Sequence, residues 1–210
     1  MKTSAILTCF IFSGLFGFGP VALAAGEEVQ GIKVNTDSAS SGEGNTVKLK
    51  GNEIPLSGQS LKVGDALPAA MVTAGNLAPV NIADIKGKVR IISVVPSVDT
   101  ATCEAQTHQL SEKNKEIADR VELVTISMDL PFAQQRFAKE ANIKNITFYS
   151  DYKGANFGKN NGLLMDPLRL LARAVIVTDK DNIVRYIQVV PEITELPDMA
   201  AAMEFARTLL

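Results

Sequence analysis

The 210-residue sequence is poor in soft ligands: it has one histidine and two cysteines, Cys9 and Cys103, and no Cys-x-x-Cys pair. So few His and Cys side chains disfavour a zinc site, and the missing dithiol disfavours a thiol–disulfide exchanger. His108 lies five residues past Cys103, about 140° around a helix, so it cannot serve as a base beneath that sulfur from the same helix. That spacing argues against a Cys–His hydrolase and leaves His108 as a solvent-facing residue. Charge of one sign is also lacking, with 21 Lys and Arg against 23 Asp and Glu. No basic stripe interrupts the balance, so nothing recommends a nucleic acid as partner. The longest apolar run, Ile6 to Phe18, falls short of the roughly 20 residues that a bilayer span needs, and Gly14, Gly17, Gly19 and Pro20 break it or follow it. No stable membrane span is expected, and no internal repeat is visible.

What does stand at the N-terminus is an export pattern. Lys2 supplies a positive start, the apolar run follows, and Ala22-Leu23-Ala24 supplies a small-x-small cleavage site. Residues 1–25 therefore read as a signal peptide and the mature protein as exported, to the periplasm. Cys9 would leave with the leader. Cys103 is then the only cysteine, and it is either an inert core residue or a free reactive thiol. The count alone leaves both open.

Apolar residues make up 46% of the chain, enough to bury a core, and the length suits one domain behind a leader. Residues 26–46 are rich in Gly, Ser, Asn and Asp and read as a flexible linker, which leaves 47–210 as the domain. A hairpin is predicted around Gly51-Asn52. Lys88 to Val95 and Val121 to Ser127 are β-branched runs of the kind found in strands covered on both faces. Between them the pattern predicts a helix over Ala101 to Asp119, capped by Asp99 or Thr100. Pro131 opens a second helix through Ala141, and a strand follows at Ile146 to Tyr149. Strands at Arg173 to Thr178 and Ile183 to Val189 form a hairpin, and Pro197 begins a last helix. The order predicts an α/β thioredoxin-like fold, with a mixed central sheet, helices on both faces and an N-terminal β-hairpin.

Cys103 falls in the first turn of the helix after a buried strand. Unpaired N–H groups and the positive end of the helix dipole favour an anion there, and the thiolate is the nucleophilic form of cysteine. Thr100, three residues earlier, can cap the helix and point at the sulfur. Glu104 is turned about 100° from Cys103 and reads as surface capping. Taken locally, a cap followed by a small buried residue explains Thr-x-x-Cys equally well.

The segment Pro96-Ser97-Val98-Asp99-Thr100-Ala101-Thr102-Cys103 resembles the Pro-x-x-x-Thr-x-x-Cys motif of the peroxiredoxins. Asp129 to Phe137, Leu171 to Val175, Asp65 to Pro68, the Gly51-Asn52 hairpin and Glu192-Ile193-Thr194 with Pro197 are similar to the thiol peroxidase branch of that family. The resemblance runs from about Thr46 to Leu210. It implies a thiol-dependent peroxidase acting on hydrogen peroxide and organic hydroperoxides, with Cys103 as nucleophile and no cofactor or metal. Thr100, Arg173 and the Cys103 N–H would be donors to the peroxide, and Pro96 would shield the sulfur. A homodimer is implied in the same way.

One position departs from that branch. Its members place a resolving cysteine one residue beyond the Arg136-Phe137 pair, and Ala138 stands there. A sulfenic acid on Cys103 would then need an external thiol: a thioredoxin-like or glutaredoxin-like protein, a small thiol, or Cys103 of a second subunit. The alternative is a peroxide sensor, or a redox-binding module of the same fold that does not turn over. Leu163, Leu164, Met165, Leu168 and Leu170 read as core and interface packing in preference to a pocket for organic peroxides.

Overall fold

The computed structural model describes residues 28–112, 117 and 120–210. The predicted leader, and residues 113–116, 118 and 119 of the helix predicted to reach Asp119, lie outside the described residues. No helix among the described residues is long and apolar enough to cross a membrane.

Two short strands come first, Glu28–Val29 (β1) and Ile32–Asn35 (β2). The predicted hairpin follows as Thr46–Leu49 (β3) and Asn52–Pro55 (β4). Its turn is Lys50-Gly51, one residue earlier than expected, since Leu49 pairs with Asn52. Both turn residues have positive φ, 51° and 81°, which the tight hairpin turn demands. Met71–Ala74 (β5) and Pro79–Asn81 (β6) form a second antiparallel pair.

Val89–Val94 (β7) leads into Ala101–Glu112 (α1), Val121–Ser127 (β8), Pro131–Glu140 (α2) and Thr147–Ser150 (β9). The short helix Asn156–Asn160 (α3) and the two-residue strands Leu164–Met165 (β10) and Leu170–Leu171 (β11) come next. Ala174–Thr178 (β12), Val184–Val189 (β13), Leu196–Pro197 (β14) and Met199–Arg207 (α4) complete the chain. The last helix begins two residues after Pro197, because Asp198 caps it by accepting from the Ala201 N–H at 2.8 Å.

Seven strands form the central sheet in the order β13-β12-β7-β8-β9-β5-β6. β7, β8 and β9 are parallel, and the remaining pairings are antiparallel. Every residue of β7 is buried, as its β-branched run requires of a central strand. Each apolar side chain so covered contributes about 1.5–3 kcal/mol relative to exposure. One core lies against α1, α2 and α4, joining Cys103, Leu110, Phe137 and Met203. The other lies on the opposite side, where α3 and the β3–β4 hairpin bring Phe157, Val47 and Leu56. Layers on both faces of a mixed sheet give the expected thioredoxin-like arrangement. Leu163, Leu164 and Met165 are wholly buried in the second core, as packing residues.

The structure corrects the reading of residues 26–46 as a flexible linker. From residue 28 onward this stretch is docked. β2 runs parallel to β14, and Ala39 bridges Val189 on the outer edge of β13. Gly42 donates its N–H to Gly162 C=O at 2.8 Å, and a Cβ on Gly42 would stand 2.7 Å from Ser60 N. The composition is polar because backbone hydrogen bonds, more than apolar side chains, hold the segment. Composition reports side chains only, so it did not reveal the docking.

Candidate active site

β7 and β8 end side by side, Val94 level with Ile126, so the loops that follow them meet at one edge of the sheet. Ligand sites of open α/β sheets sit at this carboxyl end. Val95 and Pro96 continue β7 inside the protein, and Pro96 is buried. The Asp129 carboxylate then grips the turn: it accepts from Ser97 Oγ at 2.8 Å, Val98 N at 2.8 Å and Ser127 Oγ at 2.6 Å.

Thr100 is the cap of α1. Its carbonyl accepts from Glu104 N at 2.9 Å, and its Oγ1 accepts from Cys103 N at 3.4 Å. Asp99, the other predicted cap, is exposed and pairs with Arg136 at 3.5 Å. Cys103 therefore occupies the third position of the helix, inside the first turn, where the dipole favours an anion. Thr107 Oγ1 donates back to the Cys103 carbonyl at 2.7 Å. Glu104 is exposed, as expected. His108 is half-buried, within 3.9 Å of Glu104 and 3.2 Å of Glu112, rather than simply solvent-facing. It stays on the outer side of α1.

No part of Cys103 is open to solvent. Arg173, the residue before β12, is 2% exposed and reaches the sulfur. Its fork makes three donations: Nε to Ile193 C=O at 2.8 Å, Nη1 to Gln106 Oε1 at 2.7 Å and Nη2 to Cys103 Sγ at 3.4 Å. None of the ion pairs among the described residues includes Arg173. A buried guanidinium without a carboxylate is costly unless another anion answers it. The Cys103 sulfur is the group that Arg173 Nη2 faces.

Of the predicted site residues, the structure thus joins Cys103, Thr100 and Arg173 directly and puts Pro96 in the buried lead-in to the same loop. Two further polar residues, Gln106 and Asp129, complete the surroundings of the site. Gln106 is wholly buried, and its Nε2 donates to Ser93 Oγ at 2.8 Å and to Ala174 C=O at 3.4 Å, leaving Oε1 for Arg173. Its spacing of three from Cys103 puts both on one face of α1, and an amide on a face meant for the core was the available signal. Asp129 opens the segment 129–137 of the resemblance, but its part in the site was hidden because its partners Ser97 and Val98 lie more than 30 residues away and only Ser127 is near.

A family model described as Redoxin matches residues 62–203. The chain is 44% identical over 165 residues to a curated thiol peroxidase of Halalkalibacterium halodurans, covering 79% of this chain and 99% of the relative. It is 45% identical over 158 residues to a Staphylococcus aureus thiol peroxidase, covering 75% of this chain and 94% of the relative. Among solved structures, a peroxiredoxin-like protein from Aquifex aeolicus superposes with a TM-score of 0.71 at 39% identity, covering 79% of this chain and 97% of that one. A thiol peroxidase from Chromobacterium violaceum, at 24% identity and a TM-score of 0.67, shares the fold over 78% of this chain and 95% of its own.

Proposed function

This chain belongs to the Redoxin family and, by its kinship with the thiol peroxidases, is a thiol-dependent peroxidase; on that premise we propose that Cys103 is its peroxide-reactive nucleophile and that an external thiol completes the cycle. The observation that carries this reading is the Arg173 guanidinium, buried, without a carboxylate, and 3.4 Å from Cys103 Sγ.

The Cys103 thiolate attacks the nearer oxygen of a hydroperoxide. An S–O bond forms as the O–O bond breaks, the sulfur is oxidised to sulfenic acid, and the departing oxygen takes a proton to leave as water or an alcohol. Negative charge spreads from sulfur onto both oxygens in the transition state. Donors fixed beforehand along that line stabilise it more than the ground state. Arg173 is such a donor, with two of its three nitrogens already pinned by Ile193 and Gln106. Thr100 Oγ1 accepts from the Cys103 N–H and has its own proton to give to the peroxide. Pro96 helps keep bulk water from the sulfur.

Ala138 supports the second half of the reading. Among the described residues Cys103 is the free cysteine, and it is buried. Because Ala138 offers no thiol, an external one attacks the sulfenic sulfur once the site opens to it, releasing water and leaving a mixed disulfide. A second thiol then restores Cys103 and carries away a disulfide. The leader pattern supports export to the periplasm, and the kinship supports a homodimer.

A stoichiometric peroxide pulse followed by dimedone should label Cys103 in the intact protein by mass spectrometry, and Cys103→Ser should take no label and consume no peroxide. A wild-type thiol left unmodified would sink the reading. Peroxide consumption compared with thioredoxin, glutaredoxin and glutathione identifies the reductant. Labelling without turnover on any of them would instead make the protein a sensor.

A further inference from the structure

We infer that the N-terminal strand β2 positions the active-site arginine by strapping down the segment that carries the Ile193 carbonyl, an inference that rests on the peroxidase reading above. The Redoxin match begins at residue 62, so β2 lies outside the matched segment.

The route is short and made of named contacts. Arg173 Nε donates to Ile193 C=O at 2.8 Å, and Thr102, beside Cys103, donates its hydroxyl to Thr194 C=O at 3.4 Å. Both the guanidinium and the first turn of α1 thus lean on two consecutive carbonyls. The next residue, Glu195, receives Lys33 Nζ at 2.8 Å on one oxygen and Asn35 Nδ2 at 2.5 Å on the other. Leu196 and Pro197 then pair with Val34 and Asn35 in the parallel β2–β14 ladder. A second tie sits behind it, where buried Gln188 donates to Asn35 C=O at 2.7 Å and accepts from Asp198 N at 2.8 Å.

A loop holding two active-site groups by its backbone must itself be held, because a displacement of about 1 Å in a positioned donor can cost on the order of a hundredfold in rate. Among the described residues Glu195 makes no hydrogen bond or ion pair with Cys103 or Arg173; its side chain is held by Lys33 and Asn35. It acts through the backbone that precedes it, as a positioning residue, and Asn35 acts through Glu195.

The test places a second carboxylate against Glu195. Asn35→Asp should lower the second-order rate constant for peroxide about threefold to tenfold and move the acid limb of its pH profile to higher pH, since Arg173 would be less firmly held beside the sulfur. Lys33→Ala, at an exposed site, should act in the same direction and more weakly. Combining Asn35→Asp with Glu195→Gln restores a donor facing an acceptor and should return both rate and profile toward wild type. A purely structural strand would alter stability without moving the profile. A wild-type rate and profile in Asn35→Asp, or a loss that the double variant does not recover, overturns the inference. Alkylation of Cys103 by iodoacetamide across pH gives the same comparison without peroxide. If the wild type consumes no peroxide, the peroxidase reading fails, and the alkylation profile still decides the role of the strap.

Discussion

Arg173 Nη2 stands 3.4 Å from Cys103 Sγ, a guanidinium and a sulfur brought together inside the protein from the residue before β12 and from α1. The pairing has a directional character that a lysine could not copy, because one planar group serves the sulfur, Gln106 and Ile193 at once. Arg173→Lys should therefore slow peroxide reduction on the order of tenfold, and Arg173→Ala on the order of a hundredfold or more. Stopped-flow consumption of peroxide measures both. Equal rates in Arg173→Lys and wild type would show that charge alone suffices.

Gln106 offers a sharper contrast. Gln106→Leu leaves Arg173 Nη1 and Ser93 Oγ without their partner, a loss of about 1–3 kcal/mol measurable by chemical denaturation. Gln106→Glu instead gives the guanidinium a carboxylate. That group competes with the sulfur as the answering charge, so Cys103 alkylation at neutral pH should slow more than in Gln106→Leu. The reverse order would mean that Gln106 acts by packing.

Asp129 ties the loop before α1 to the loop after β8. Asp129→Ala removes the acceptor for Ser97, Val98 and Ser127, and the segment 97–99 should exchange its amide hydrogens faster while β7 and β8 stay protected. Peroxide reduction should fall in parallel. Unchanged exchange at 97–99 would assign the loop's order to the helix cap alone.

Glu192 gives the pH prediction. Burial works against its charge, but donations from Gly51 N, the Thr194 hydroxyl and the Lys50 and Thr194 N–H groups outweigh burial and hold its carboxyl below the ordinary value of 4.5. A carboxylate with a depressed folded value contributes stability above its unfolded value, and that stability is lost as pH falls through the folded one. The denaturation midpoint should thus decline with acid below 4.5. Glu192→Gln should be less stable than wild type at neutral pH, and the gap should narrow in acid. A gap independent of pH would remove Glu192 from the acid response.

Much of the domain was legible because its signals are local. The β-branched runs of β7, β8 and β12 announce buried strands, Pro131 opens α2, and Asp179 to Asn182 turn the β12–β13 hairpin. The missed features are those whose partners are distant. Arg90 is the clearest: a charged residue inside β7, 1% exposed, it donates to Ile82 C=O at 3.1 Å and to Asn182 Oδ1. Nothing within its own strand announces either partner. The docking of residues 28–46 was hidden for the same reason.

The sequence by itself, read with the family it resembles, determined the outline of the site: a cysteine in the first turn of a helix after a buried strand, a threonine three residues before it, and an alanine where that family's second cysteine would stand. The first two follow from spacing along one chain, through helical geometry and the helix dipole, and the third from the resemblance to the thiol peroxidase branch. Arg173 was implied by the same resemblance, and only the tertiary structure decided what holds its guanidinium against the sulfur. Arg173, Gln106, Ile193 and, beyond them, Asn35 come from four separate parts of the chain. Their meeting depends on strand order and on buried polar groups each finding a partner, which no window of sequence contains.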